Sequence, residues 1–205
     1  MSITTAFAQS HILKPTSLLK SNPETPLNTL ELYLDYACPF CLKIFQRWTD
    51  GGFFTDDFLT THKLQIRFNH VPQPWHIRSI PIHNVGLAVA RYKPEAFWDY
   101  SLKLFKDAKE TWDDNFNNAT PNEFNNVLAE HAHKYTGIDK VLVTDYLGEK
   151  EASTRMADLK YFVRYHRTVG VHMTPTVAIN GIICGNIESS TDLDKVVEII
   201  KQQTL

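Results

Sequence analysis

Cysteine is scarce in this chain of 205 residues, which carries three, and that argues against the disulfide-stapled framework of small secreted domains. Excess charge is missing too: 21 Lys and Arg stand against 23 Asp and Glu, net −2, which removes the basic footprint of a nucleic-acid binder. No apolar run is long enough to span a membrane, and no glycine-rich loop is present to cradle a phosphate. Repeats and low-complexity tracts are absent. The first ten residues lack the basic segment and apolar core of a secretory signal. These absences together predict a cytoplasmic chain in a reducing compartment, with no nucleic-acid or membrane partner. A mitochondrial presequence is the alternative, because no acidic residue precedes Glu24 while Lys14 and Lys20 do; the lack of arginine there weighs against it.

With 43% hydrophobic residues, the chain can bury one full core, either as a plain domain or as a domain carrying an insertion. Two of its three cysteines form Cys38-Pro39-Phe40-Cys41, between an alternating apolar run over 30–36 and a helical pattern. That places Cys38 at a helix N-terminus, where unpaired backbone N–H groups point outward, and Cys41 one turn in, within reach of the first sulfur. Cys38 is the expected nucleophile and Cys41 the resolving thiol. A free thiol has a pKa of ~8.5, and the helix end alone can bring it to roughly 7. Pro39 suits the first helical turn because it has no N–H to leave unsatisfied. Phe40 adds no charge, which predicts a moderate redox couple rather than an extreme oxidant. Zinc is the rival reading of a CxxC pair, but a zinc site needs four ligands and Cys184 stands alone; no metal is expected.

Along the chain, Pro15, Pro23 and Pro26 favour an extended arm over 1–29, with a short edge strand at 11–13. A second strand is predicted over 64–68, and two helices over 83–105 separated at Pro94. Thr120 and Pro121 open a further helix as cap and first residue, and helical material continues over 138–147 and 151–165. Asn180-Gly181 between two β-rich runs predicts a tight hairpin, followed by an amphipathic helix over 191–202. Phe97, Trp98, Tyr100, Trp112 and Phe116 are assigned to the core of the helical part, Trp75 and Tyr36 to a substrate surface, and Cys184 to a buried strand.

Three stretches, 35–41, 97–105 and 170–181 with Thr174-Pro175, carry a resemblance to the thioredoxin superfamily, and more narrowly to its DsbA-like branch. The resemblance implies an α/β thioredoxin fold, a central mixed β-sheet flanked by helices, with an α-helical insertion. The units it implies are an arm over 1–29, the thioredoxin-fold domain over 30–80 and 167–205, and the insertion over 81–166. It implies a thiol-disulfide oxidoreductase in which Cys38 and Cys41 are catalytic, Thr174-Pro175 is a cis bond beside the sulfurs, and Pro39, Phe40, Thr174 and Pro175 meet the substrate. The partners would be protein or peptide thiols and disulfides; no cofactor is expected, with glutathione as a candidate co-substrate. Alternatives are a glutathione-dependent transferase or isomerase of the kappa and DsbA-like group, and a non-catalytic binding module. In one respect the chain departs from the pattern. Where many members hold a buried carboxylate on the strand, this sequence has Leu32. Asp35, of the other strand parity, is read as either a turn acceptor or a proton-transfer group, and Asp35, His70 and His172 are all left outside the catalytic set.

Overall fold

The computed structural model describes residues 3–111, 115–116 and 118–204. Its elements are α1 (Thr5–His11), β1 (Ile12–Leu13), α2 (Thr16–Ser21), β2 (Asn28–Leu34), α3 (Pro39–Asp50), α4 (Asp56–His62) and β3 (Leu64–His70). Then follow α5 (Ser79–Tyr92), α6 (Phe97–Lys106), α7 (Pro121–Thr136), α8 (Lys140–Leu147), α9 (Ala152–Thr168), β4 (Thr176–Ile179), β5 (Ile182–Ile183) and α10 (Leu193–Gln203). The five strands form one mixed sheet in the order β1-β3-β2-β4-β5. Only β2 and β3 pair in parallel, Leu30 opposite Ile66 and Leu34 opposite His70, while β1, β4 and β5 add antiparallel.

The central strand reads as nearly continuous burial because helices cover both faces. Leu30, Leu32 and Leu34 enter the main core with Ile66 and Phe68, whereas Tyr33 packs on the other face with Val71, Val171 and Ala178. That second face also holds an ion pair, Glu31 to Arg67 at 2.8 Å, with both side chains buried. The strand stops at Leu34, two residues short of the predicted end. There Asp35 takes the Ala37 N–H on its side chain and the Cys38 N–H on its backbone carbonyl, turning the chain into α3.

Local signals place most of the remaining elements where expected. Pro94 opens a short 3₁₀ turn between α5 and α6. Thr120 and Glu123 form a reciprocal capping box at the start of α7. Asn180 and Gly181 both have positive φ, 51° and 83°, as a type I′ hairpin turn requires. Gly86 on α5 favours close approach: a Cβ there would lie 3.1 Å from the Tyr36 ring, so any larger residue would have to push α5 or that buried ring aside by a few tenths of an ångström. The extended arm predicted before residue 30 is instead two short helices around the expected edge strand. Phe7 seats α1 against Phe162, and α2 starts where the Asp56 carboxylate accepts the Thr16 and Ser17 backbone N–H groups. That cap arrives from a distant segment, which a local reading of proline content cannot see.

Candidate functional site

Cys38 is the N-cap of α3, with extended backbone (φ −87°, ψ 122°), and Pro39 follows at the first helical position. The Leu42 N–H closes the first turn on the Cys38 carbonyl at 3.0 Å. The Cys38 thiol is pushed down to about 6. The Cys41 S–H, donating to it, is the largest cause; burial opposes the shift, and the Cys41 N–H, the Thr174 side chain and the Phe40 N–H add to it. Cys41, fully buried at the third helical position, is held well above the ordinary thiol range, first by burial and then by the proximity of Cys38. All three cysteines are free thiols. The pair is thus electrostatically unequal: charge resides on the outer sulfur and the proton on the inner one.

Across from the motif, Thr174-Pro175 is a cis peptide bond, and the Thr174 carbonyl lies 3.5 Å from the Cys38 sulfur. Gln73, from the loop after β3, ties that segment down, donating from Nε2 to the His172 carbonyl at 3.1 Å. Pro39 and Phe40 face outward, Phe40 61% exposed, and Cys38 is 4% exposed. Trp75, 64% exposed, lies in a cleft of about 470 Å³ with Gln73, His76, Ile77, Arg167 and His172. Tyr36 does not belong to any such surface. It is 1% exposed, donor or acceptor to Ser101 Oγ at 2.7 Å and stacked on Phe68, because the chain turns inward immediately after β2. Phe97, Trp98 and Tyr100 are buried as expected, Phe116 is half-buried, and Trp112 lies outside the described residues. Cys184, just after β5, is buried, its thiol directed to the Ile182 carbonyl.

The residue that the sequence undervalues is Asp35. Its backbone N–H reaches the Cys41 sulfur at 3.4 Å, and its fully buried carboxylate collects five donors. Oδ1 accepts from Ala37 N (3.0 Å), Ser79 Oγ (2.6 Å) and His83 Nε2 (3.2 Å); Oδ2 accepts from Gln73 N (3.0 Å) and His76 Nδ1 (2.8 Å). Burial alone would favour the neutral acid. The hydrogen bonds from His76, His83 and Ser79 outweigh it and hold the carboxyl well below the usual carboxylate range. From His83 the network runs inward through His70 to His11. Of the histidines considered from sequence, His70 sits inside this network and His172 is exposed. Ser79 and His83 lie one turn apart on the first turns of α5, a spacing that marks a common face but names no partner. Among the described residues, no group of three or more His, Cys, Asp or Glu is arranged to hold a metal ion.

No curated protein matches the sequence. Solved structures with this fold include Chlamydia trachomatis DsbA (19% identity over 98% of this chain and 95% of that one, TM-score 0.65). Others are MdbA, a thiol-disulfide oxidoreductase from Corynebacterium diphtheriae (18%, 96% and 91%, 0.64), and a periplasmic thioredoxin-like protein from Salmonella enterica serovar Typhimurium (16%, 100% and 99%, 0.63). A periplasmic protein of the same fold over its whole length overturns the expectation of a cytoplasmic chain. The scarcity of cysteine does not report the compartment here, since a core of this size needs no structural disulfide and the paired thiols belong to a site. The family model described as Thioredoxin matches residues 15–202, nearly the whole chain. With the mixed sheet, the helix-capping CPFC pair and the DsbA-like fold, that match shows that this chain belongs to the thioredoxin family.

Proposed function

We propose that the chain is a thiol-disulfide oxidoreductase in which Cys38 and Cys41 exchange electrons with protein or peptide disulfides. The supporting observation is the inequality of the two thiols: a stabilised anion at the mouth of α3, and a protonated, buried partner hydrogen-bonded to it. The Cys38 thiolate attacks one sulfur of a substrate disulfide, forms a mixed disulfide and releases the other sulfur as a thiolate. Cys41 then gives up its proton and attacks the Cys38 sulfur. The Cys38–Cys41 disulfide forms, and the second substrate thiolate leaves and is protonated. The substrate gains two electrons and the pair loses them; the reverse sequence oxidises a dithiol.

Exposed apolar side chains beside the site, Phe40, Trp75 and Met173, fit an unfolded or extended peptide better than a small polar thiol. Thr174 and Pro175, close to the Cys38 sulfur, complete the contact surface in this reading. Glutathione enters as the small thiol that resets the pair; no cofactor has a role in the sequence of steps. The intact pair of thiols separates this reading from that of a glutathione transferase, for which Cys41 would be superfluous.

Equilibration in glutathione redox buffers, with the Cys38–Cys41 disulfide quantified after acid quench, tests the proposal. The expected result is reversible interconversion at a potential of roughly −270 to −120 mV, since the donors that chiefly stabilise the thiolate are the neutral Cys41 thiol and N–H, the Thr174 side chain and the Phe40 N–H. A pair that never forms the intramolecular disulfide refutes the oxidoreductase reading, and a potential outside that interval refutes the account of how the thiolate is stabilised.

A further inference from the structure

We propose that Asp35 is a positioning anion and not the proton acceptor of the resolving step: its saturated carboxylate, braced through His83 by a chain of buried imidazoles, keeps negative charge beside Cys41 and so confines the thiolate to Cys38. The inference rests on the redox reading above and assigns a part in it to a residue off the motif.

A general base needs a lone pair directed at the acid. A carboxylate offers about four acceptor positions, and Asp35 already receives five donors, three on Oδ1 and two on Oδ2. Its one direct bond to Cys41 comes from the backbone N–H, so the carboxyl group has no opening toward that sulfur. The group cannot swing to make one. His83 Nδ1 meets His70 Nδ1 at 2.6 Å, His70 Nε2 meets His11 Nε2 at 2.9 Å, and His11 Nδ1 meets Ser10 Oγ at 2.8 Å.

All three rings are fully buried, and burial holds His70 and His11 well below the ordinary imidazole range, hence neutral. A neutral His70 carries one ring proton for two ring contacts, so one neighbour must supply the other, and every nitrogen along the chain is engaged. Aromatic rings clamp the line as well: Phe97 and Phe162 stack on His11 at 4.1 and 4.8 Å, and Tyr36 packs on His83 at 4.9 Å. The result is a rigid brace ending on Oδ1. A fixed anion inside the fold disfavours a second anion near it, so Cys41 stays a thiol and donates to Cys38. The proton of Cys41 then leaves with the departing substrate thiolate.

The two roles predict opposite signs for Asp35→Asn, which keeps the backbone N–H and the shape while removing the charge. In the variant one amide hydrogen faces the Gln73 N–H, so circular dichroism and thermal melting are run beside it. Reduced protein mixed with the aromatic disulfide 5,5′-dithiobis(2-nitrobenzoate) releases one chromophore when Cys38 is captured and a second when Cys41 resolves the adduct. For a fall of one unit in the Cys41 pKa the thiolate fraction rises about tenfold and its intrinsic reactivity falls by about the square root of that. The second phase should therefore accelerate about threefold at pH 7. An unchanged or slower second phase overturns the proposal. A missing first phase instead overturns the redox reading beneath it.

Should Asp35→Asn not fold, carboxyl ¹³C resonances of aspartate-labelled wild type decide. Asp35 remains ionised from pH 4 to 8 in both reduced and oxidised protein if it is a fixed charge, and a proton appearing on it with change of redox state overturns the assignment.

Discussion

Replacement of Cys38 by serine is expected to lower the rate of disulfide reduction, measured with insulin and a thiol reductant, by on the order of 1,000-fold or more. A serine hydroxyl in the same place has no accessible anion near neutral pH, and an S–O bond is no intermediate of disulfide exchange. Nothing else at the site can substitute. Cys41 is fully buried behind Cys38 with its pKa raised, and Cys184 is a buried thiol directed at a backbone carbonyl. Cys41→Ser should behave differently. The first attack persists because Cys38 keeps the N-terminus of α3, and the mixed disulfide then accumulates because no second sulfur displaces it; nonreducing gels followed by mass spectrometry detect the adducts. Since the Cys41 S–H is the largest stabiliser of the Cys38 thiolate, the serine variant should also attack more slowly below pH 7, although its hydroxyl replaces part of the bond. Activity that survives Cys38→Ser would place the chemistry elsewhere, and a Cys41→Ser protein that captures no disulfide partner would favour a scaffold role.

The second large effect is on stability, and it arises from the other face of the sheet. Arg67→Met is expected to cost about 3–5 kcal/mol in urea denaturation, because it strands the Glu31 carboxylate in a buried site. Glu31 and Arg67 face each other across the parallel β2/β3 register, with side chains 5% and 4% exposed. Tyr33 donates its hydroxyl to Glu31 Oε2 at 2.5 Å, and Tyr165 both accepts from the guanidinium and lies under it, 4.7 Å from ring centroid to Cζ. Tyr165 stacks in turn on Tyr33. Both charges are buried together, so removal of the two is predicted to recover most of the loss: Glu31→Leu with Arg67→Met should lie within about 1–2 kcal/mol of wild type. A single variant as stable as wild type would mean that water reaches Glu31 and the site is not buried. Cys38 titration should be unaffected in the double variant, which separates fold from function.

How much of this was legible beforehand varies with the range of the interactions. The CPFC pair at a helix start, the break at Pro94, the cap at Thr120 and the Asn180-Gly181 turn depend on neighbours in sequence, and each element formed where its signal stood. The helices before residue 30 leave little local signal: α2 takes its cap from Asp56, and Thr4 at the start of α1 makes no side-chain cap bond. Asp35 was undervalued for a related reason. Strand parity predicts the side opposite Leu32, but Asp35 stands one residue past the end of β2, where alternation no longer governs direction, and its carboxylate meets Ser79 and His83 of α5. Its donors arrive from the turn itself, from the loop after β3 and from α5, and the histidines behind it are drawn from three separate elements. The thiol shift was underestimated on similar grounds: the helix end alone suggested roughly 7, whereas the Cys41 S–H, invisible as a donor until the turn is built, brings Cys38 to about 6.

A thiolate held on Cys38 and excluded from Cys41 is the claim from which the rest follows. The direct measurement is the rate of iodoacetamide alkylation of the fully reduced protein from pH 4 to 10, with each labelled cysteine identified by peptide mass spectrometry. The account predicts labelling of Cys38 with a half-maximal rate near pH 6, falling about tenfold per unit below it, while Cys41 stays unmodified through neutral pH. A midpoint at or above that of a free thiol, ~8.5, or equal labelling of the two cysteines, would contradict it.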